Sequence, residues 1–167
     1  MVILGVDPGL QITGYACVRT DAAHPNRDPE LVEAGCFRLR ARDDVADRLV
    51  ELEHDLCGVV ERCAPAIAFV EKLFAHYKHP TTAITMGHAR GVVLLALRRA
   101  GVEVNELAAT EVKKSLTGGG HASKTQMQLA VQAQLSLPEP PSPPDVADAI
   151  AIALTGARRR ASNAARV

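Results

Sequence analysis

Four acidic side chains stand where an apolar segment ends or a helix is expected to begin. Asp7 follows the apolar run 2–6, and Glu71 follows the run 66–70. Asp145 and Asp148 are three residues apart at the start of the last predicted helix, so they share one helix face. Clustered carboxylates repel one another unless cations lie between them, and all-oxygen ligands suit Mg²⁺ or Mn²⁺. Two such ions can activate water and stabilise a leaving oxygen, so the four acids predict phosphodiester cleavage.

Each acid also has an ordinary structural interpretation. Asp7 could belong to a simple Asp-Pro-Gly turn. Glu71 could be a solvated strand end, and Asp145 and Asp148 could only stabilise a helix N-terminus. The nuclease interpretation therefore depends on all four acids meeting at one place.

Basic residues accompany these acids in the middle of the chain. Lys113 and Lys114 lie on a short predicted helix, and Lys124 follows a triple glycine at residues 118–120. A glycine loop before a helix exposes backbone N–H groups to phosphate, and a lysine there could neutralise a scissile phosphate. Phe74 lies in a basic loop with Lys78, where it would either stack on an unpaired base or pack back onto the core.

The elements that must position these residues follow from hydrophobic periodicity and from cap and turn signals. Strands are predicted at 2–6, 12–18, 31–39, 66–70 and 102–107, and helices at 45–63, 81–99, 110–117, 123–135 and 145–154. Asp44 and Asp145 are expected as N-caps, and Ser123 with Gln126 as a capping box. Three antiparallel strands that continue as β-α-β give an α/β fold with a mixed five-stranded sheet and helices on both faces. If strands one and four are parallel neighbours, Asp7 and Glu71 leave the same sheet edge.

Length and composition fit one domain with an aliphatic core. The chain has 167 residues, of which 47% are hydrophobic and 3% aromatic. We expect a single domain over residues 1–156 and a flexible basic tail over 157–167. The net charge is zero, but residues 72–124 carry 8 basic against 3 acidic residues, whereas residues 1–71 carry 7 against 13. That asymmetry suits a protein that binds a polyanion beside a carboxylate site, although blockiness on a solvated surface remains an alternative.

No sequence feature indicates export or membrane insertion. The N-terminus lacks a basic leader, and no apolar run approaches the ~18–20 residues that span a bilayer. The four cysteines form no C-x-x-C pair and no zinc spacing with histidine. We therefore expect a cytoplasmic protein with reduced thiols.

These motifs, taken together, resemble one family. The runs 3–9 (ILGVDPG) and 13–15 (TGY), 70–74 (VEKLF), 87–91 (GHARG), 112–126 and 145–149 (DVADA) resemble, in order, the RuvC family of Holliday-junction resolvases. The resemblance covers residues 3–155. One departure is the run Tyr77-Lys78-His79-Pro80, where family members often have an asparagine.

The resemblance implies a ribonuclease-H-like fold and a homodimer that nicks two opposed strands of a four-way DNA junction in recombination and repair. It implies metal ligands at Asp7, Glu71, Asp145 and Asp148, which would hold two Mg²⁺ ions, with Mn²⁺ as a substitute. Lys124 would act beside them at the cut. The expected DNA contacts are Phe74, Lys78, Arg90, Lys113, Lys114 and Lys124. Expected partners are the branch-migration proteins RuvA and RuvB, and the helix with Gly87 and Gly91 is the expected dimer interface.

Three other functions compete with this one. A YqgF-like RNA-processing nuclease shares the fold, but the Lys124 loop and the final acid pair favour the resolvase. An actin-like nucleotide-binding domain shares Asp-Pro-Gly after a first strand, but the chain is too short for two such halves. A junction-binding module without activity is disfavoured because all four acids are present.

Overall fold

In the computed structural model, which describes residues 1–21, 24, 27–73 and 80–164, strands and helices follow the predicted order. The strands are β1 (Val2–Asp7), β2 (Ile12–Arg19), β3 (Glu30–Arg38), β4 (Ile67–Glu71) and β5 (Glu103–Leu107). The helices are α1 (Val45–Cys63), α2 (Pro80–Arg99), α3 (Ala109–Thr117), α4 (Lys124–Leu135) and α5 (Pro144–Ala164). Among these described residues, no helix is both long and apolar enough to cross a membrane.

The five strands form one mixed sheet in the order β3-β2-β1-β4-β5. β1 pairs antiparallel with β2, and β2 pairs antiparallel with β3. β1 and β4 are parallel neighbours, as are β4 and β5. The predicted topology is therefore confirmed, including the parallel pairing of strands one and four.

Helices cover both faces of this sheet, and strand alternation assigns each side chain to one face. Ile3, Ile67 and Phe69 contribute to a core beneath α3, α4 and α5. Leu4 and Val6 contribute to a second core beneath α1 and α2. Because Asp7 and Glu71 are an even number of residues from Ile3 and Ile67, both lie on the α5 side of the sheet.

Most predicted element boundaries agree with the structure to within one or two residues, and α5 is the exception. It runs through Ala164, about ten residues beyond the predicted end near Leu154. The predicted helix end near Leu154 is therefore wrong, and residues 157–164 of the predicted tail belong to α5. Ala157 is buried in the core, which gives the helix a reason to continue.

Two predicted caps also differ in detail. α5 begins at Pro144, so Asp145 lies within the first turn and is not the N-cap; proline suits a first helical position because it lacks the N–H that would go unpaired there. Asp44 is the N-cap of α1, but its side chain makes no capping hydrogen bond. The capping box of Ser123 and Gln126 is confirmed, with both reciprocal hydrogen bonds present.

Candidate active site

The parallel pairing of β1 and β4 brings Asp7 and Glu71 together. Val6 lies opposite Val70 in this pair, and the two acids follow at the same sheet edge. The two carboxyl groups lie close enough for each to change the pKa of the other, and the charge of Glu71 raises that of Asp7.

Two glycines in the sheet allow α5 to lie directly over this edge. A Cβ on Gly14 would lie 2.0 Å from the carbonyl oxygen of Asp145, and a Cβ on Gly5 would lie 2.3 Å from that of Ala149. Real Cβ atoms do not approach backbone this closely, so only glycine fits at either position. The result is that the first turns of α5, with Asp145 and Asp148, reach the carboxylates of the sheet.

The loop after Asp7 is held by buried polar groups that the sequence analysis did not single out. The Thr13 hydroxyl is fully buried, donates to the Gly9 carbonyl at 2.6 Å and accepts from the Gly9 N–H at 3.1 Å. The buried Arg48 guanidinium donates to the Leu10 carbonyl. The sequence contained a signal for the role of Thr13, because a threonine stands close after Asp-Pro-Gly. It contained none for Arg48, which is 38 residues from Leu10.

Burial and mutual repulsion raise the pKa values of three of these acids. Burial is the largest cause for Asp7, whose pKa is well above its usual value, and the charges of Glu71 and Asp145 raise it further. Burial also raises the pKa of Glu71, with Asp148 adding to the rise. The pKa of Asp148 rises to about 6, first through burial and then through the charge of Asp7. All four predicted acids therefore influence one another electrostatically.

Two of the predicted lysines join the acids. Glu71, Lys113, Lys124 and Asp148 line a cavity of about 140 Å³ between β4 and helices α3, α4 and α5. The charge of Lys124 lowers the pKa of Asp7, Glu71 and Asp148, and Lys113 lowers those of Glu71 and Asp148. Within the described part of the chain, neither lysine forms an ion pair with an acid, so their charges remain available to a phosphate.

The other predicted DNA contacts are placed differently. Lys114 points away from the acids into a separate groove with Arg158. Arg90 pairs with Glu106, and its Nε donates to the Glu71 carbonyl at 3.3 Å, so it holds the ends of β4 and β5 together. A DNA contact by Arg90 stays a prediction. Phe74 and Lys78 lie outside the described residues, as do the other residues of the run 77–79. Pro80, the last residue of the run 77–80, is the first residue of α2.

The four carboxylates suit hard divalent cations because they offer oxygen ligands alone. Across residues 1–21, 24, 27–73 and 80–164, no three acidic, histidine or cysteine side chains converge closely enough to enclose an ion by themselves. Mg²⁺ is commonly held by one or two carboxylates, with water and substrate phosphate completing its shell. The raised pKa values show that negative charge on these acids is unfavourable, and a bound cation would offset that cost. The four carboxylates therefore fit an ion that also takes a phosphate as a ligand.

Comparisons with known proteins give matches over nearly the whole chain. The family model described as "Crossover junction endodeoxyribonuclease RuvC" matches residues 3–156. A relative of that name from Rhodopirellula baltica is 47% identical over 156 residues, covering 92% of this chain and 84% of the relative.

Solved structures give the same result for the backbone. Thermus thermophilus RuvC in complex with a Holliday junction substrate superposes with a TM-score of 0.87 at 32% identity, covering 98% of this chain and 96% of that one. The yeast mitochondrial Holliday junction resolvase has a TM-score of 0.67 at 13% identity, covering 96% of this chain and 82% of that one, which supports the fold alone. The predicted ribonuclease-H-like fold is confirmed.

Proposed function

Because this chain belongs to the RuvC family of crossover junction endodeoxyribonucleases, we propose that it resolves four-way DNA junctions by paired symmetric nicks. The observation that carries this proposal is the meeting of Asp7, Glu71, Asp145 and Asp148 at one sheet edge, beside Lys113 and Lys124. The curated relatives bear the name of this activity, and the related Thermus protein was solved with a Holliday junction substrate.

The acids would bind Mg²⁺, with Mn²⁺ as a substitute and two ions per site. Bound there, the ions would supply an activated water and stabilise the leaving oxygen of the cut strand. Asp7, Glu71, Asp145 and Asp148 would be the ligands from the protein. Partial burial of these acids lowers the local dielectric constant, which strengthens each charge interaction within the site.

The lysines would bind the substrate where the acids alone would repel it. Lys113 and Lys124 line the same cavity as Glu71 and Asp148, so a phosphate placed there would meet both cations. Lys124 is also the first residue of α4, between the two residues of its capping box, Ser123 and Gln126. A phosphate near it would gain from the positive end of the helix dipole as well as from the lysine charge.

A homodimer would place two such sites on the two strands of a junction. The outer face of α2 offers a surface for it: Ile84 and Leu95 are largely exposed, at 61% and 51%. Between them, a Cβ on Gly91 would have no neighbour within 4 Å among the described residues. An exposed apolar stripe around a small residue suits close packing of two helices, and a two-fold dimer matches the two-fold symmetry of a junction.

The setting would be recombination and DNA repair in the cytoplasm. The junction would arrive from the branch-migration proteins RuvA and RuvB, which we propose as partners. This part of the proposal is supported by family membership alone.

A cleavage assay tests the proposal. The protein would be incubated with Mg²⁺ or Mn²⁺ and a strand-labelled mobile four-way junction, with linear duplex, single-stranded DNA and RNA alongside. Symmetric nicks in the junction only, lost in Asp7→Asn, are the expected result. Cleavage of RNA or single strands instead would favour the YqgF-like function, and tight junction binding without any cutting would favour a binding module.

A further inference from the structure

A second basic site lies on the far side of α3 from the acids. It is an open groove of about 570 Å³ between α3 and the C-terminal half of α5, here called the α3–α5 groove. Its lining consists of charged and hydroxyl- or amide-bearing side chains: Glu111, Lys114, Ser115, Thr155, Arg158, Arg159, Ser162 and Asn163. No described aliphatic or aromatic side chain is among them, so the groove suits a polar ligand.

The charges in the groove are predominantly positive. Within the described part of the chain, Lys114 forms no ion pair, and Arg158 donates only to the carbonyl and hydroxyl of Ser115, which are neutral. Arg159 approaches Glu111 at 3.8 Å, but both side chains are about half exposed, and such a pair binds weakly. Three cations therefore face one acid, and two of the three keep their full charge for a ligand.

The polar groups of the groove suit an oxyanion. Guanidinium groups and ammonium groups are the side chains that bind phosphate best, since they combine charge with several hydrogen-bond donors. At the floor of the groove the Thr155 hydroxyl is buried and has no hydrogen-bond partner among the described residues. Ser162 and Asn163 add further donors at its rim.

The groove and the acids are linked by shared elements. Lys113 lines the acidic cavity and the next residue, Lys114, lines the groove, so α3 forms a wall of both. Arg159 donates to the carbonyl of Glu106 at 3.3 Å, one residue before Leu107, which lies opposite Glu71 in the sheet. The groove is thus at the same strand ends as the acids, beyond the edge strand β5.

The distance between the acids and the groove fits the spacing of phosphates along one strand of a DNA arm. Arg158 follows Asp148 by ten residues on α5, which is about 15 Å along the helix axis. At ~3.4 Å per base pair along duplex DNA, that distance is roughly four or five base pairs. A duplex arm entering at the acids would therefore carry another phosphate to the groove.

We infer that the α3–α5 groove binds a backbone phosphate of a junction arm, roughly four or five base pairs from the cut. The inference rests on the proposed function, because it requires a four-way junction at the acidic site. The groove acts on affinity and on the direction of the arm, and takes no part in the chemistry.

The test measures junction affinity against salt concentration for the full chain, with Ca²⁺, which takes oxygen ligands as Mg²⁺ does. Lys114→Gln removes one charge from the groove, and Arg19→Gln removes one at the opposite sheet edge, where Arg19 pairs with Val2. We expect Lys114→Gln to lower the slope of log affinity against log salt by about 0.9 and to weaken binding roughly three- to tenfold, whatever the sequence of the arm. Arg19→Gln should change neither.

A second measurement locates the phosphate. Uncharged methylphosphonate linkages would be placed one at a time along each arm. In the unmodified protein, affinity should fall for linkages around the fourth or fifth base pair, and in Lys114→Gln the same linkages should cause no further loss. Additive losses would overturn the inference, because independent contacts add whereas a shared contact does not.

The remaining outcomes are distinct. If the protein binds junctions but Lys114→Gln behaves like Arg19→Gln, the groove does not hold DNA and the inference fails while the proposed function stands. If inorganic phosphate stabilises the protein but not Lys114→Gln, with junction affinity equal in both, the groove binds free anions and the inference is again wrong. If the protein binds no junction at all, the proposed function itself fails.

Discussion

Gly14 lies directly beneath the backbone of Asp145, where a Cβ would approach the carbonyl oxygen to 2.0 Å. Gly14 is also the residue opposite Asp7 in the β1–β2 pair. One missing side chain therefore sets how closely the acids of α5 approach the acid of β1. Gly14 itself has no side chain, so it takes no direct part in the chemistry.

Gly14→Ala should move the acids of α5 away from the acids of the sheet. The added methyl group must push α5 from the sheet, since its neighbour is backbone and not a flexible side chain. We expect cleavage to fall roughly 100-fold, because displacements of about 1 Å in a site have such effects. The free energy of unfolding should fall by about 1–3 kcal/mol from overpacking. Junction cleavage rates and denaturant unfolding measure the two effects.

Gly58→Ala is the matched control. Gly58 lies within α1, and its nearest neighbour is the end of the Arg62 side chain, which can move. This variant should be as stable as the parent or more stable by up to about 1 kcal/mol, with full activity. Full activity in Gly14→Ala would contradict the positioning role of Gly14.

Thr13→Val tests the loop that follows Asp7. The change keeps the shape of the side chain but leaves the buried N–H and carbonyl of Gly9 without the partner that Thr13 provides. We expect a loss of about 1–3 kcal/mol in unfolding free energy and slower cleavage. Thr13→Ser keeps the hydroxyl and should recover most of both. Equal loss in Thr13→Ser would show that packing, and not the hydrogen bonds, fixes this loop.

The metal-free protein should become less stable as the pH rises from about 4 to above 6. The pKa of Asp148 is about 6 in the folded chain, whereas its ordinary value is 3.8. Between these values the unfolded state has already lost the proton that the folded state keeps, so each increase in pH favours unfolding. The effect is complete above pH 6 and amounts to about 1–3 kcal/mol for this group. Chemical denaturation in chelator across this range measures it.

Asp148→Asn should remove this part of the pH dependence. The amide is neutral at every pH, so the variant should be more stable than the parent above pH 6 in chelator, and about equally stable near pH 4. The same variant should lose activity, because the carboxylate that lowers stability is one that the site needs for function. An Asp148→Asn protein that is less stable than the parent at pH 8 would contradict the repulsion among these acids.

Mg²⁺ should reverse the loss of stability at neutral pH. A ligand that binds only the folded state adds about 2.7 kcal/mol at a concentration 100 times its Kd. We expect the melting temperature of the parent to rise with Mg²⁺ or Mn²⁺ and that of Asp7→Asn to rise much less. Equal shifts in both proteins would show that the ions bind elsewhere.

The sequence was sufficient for the fold and for the meeting of the acids. Alternating and helical hydrophobic periods are local signals, and the parallel pairing of β1 with β4 follows from an α-helix between two buried strands. Once that pairing is known, Asp7 and Glu71 must leave the same edge. The strand-interior position of Gly14 was a further signal of close backbone approach.

Other features depend on contacts distant in sequence and could not be predicted. Lys113 and Lys114 are neighbours in the chain, but they lie about 100° apart around α3, and only the packing of α5 shows which one meets the acids. Arg48 and Arg90 act through carbonyl groups far away in sequence. Helix α5 continues past the predicted end near Leu154 because residues 155–157 are buried, which the basic residues 158–160 concealed.

The most direct test of the central claim uses a supercoiled plasmid that extrudes a cruciform, which is a four-way junction within closed circular DNA. Paired nicks across the junction convert the plasmid to a linear form with sealable ends, whereas independent single nicks give an open circle first. With Mg²⁺, we predict linear product at the cruciform without accumulation of open circles, and no product with Asp7→Asn or on a plasmid without the cruciform. Open circles alone, or equal cutting by Asp7→Asn, would contradict the account.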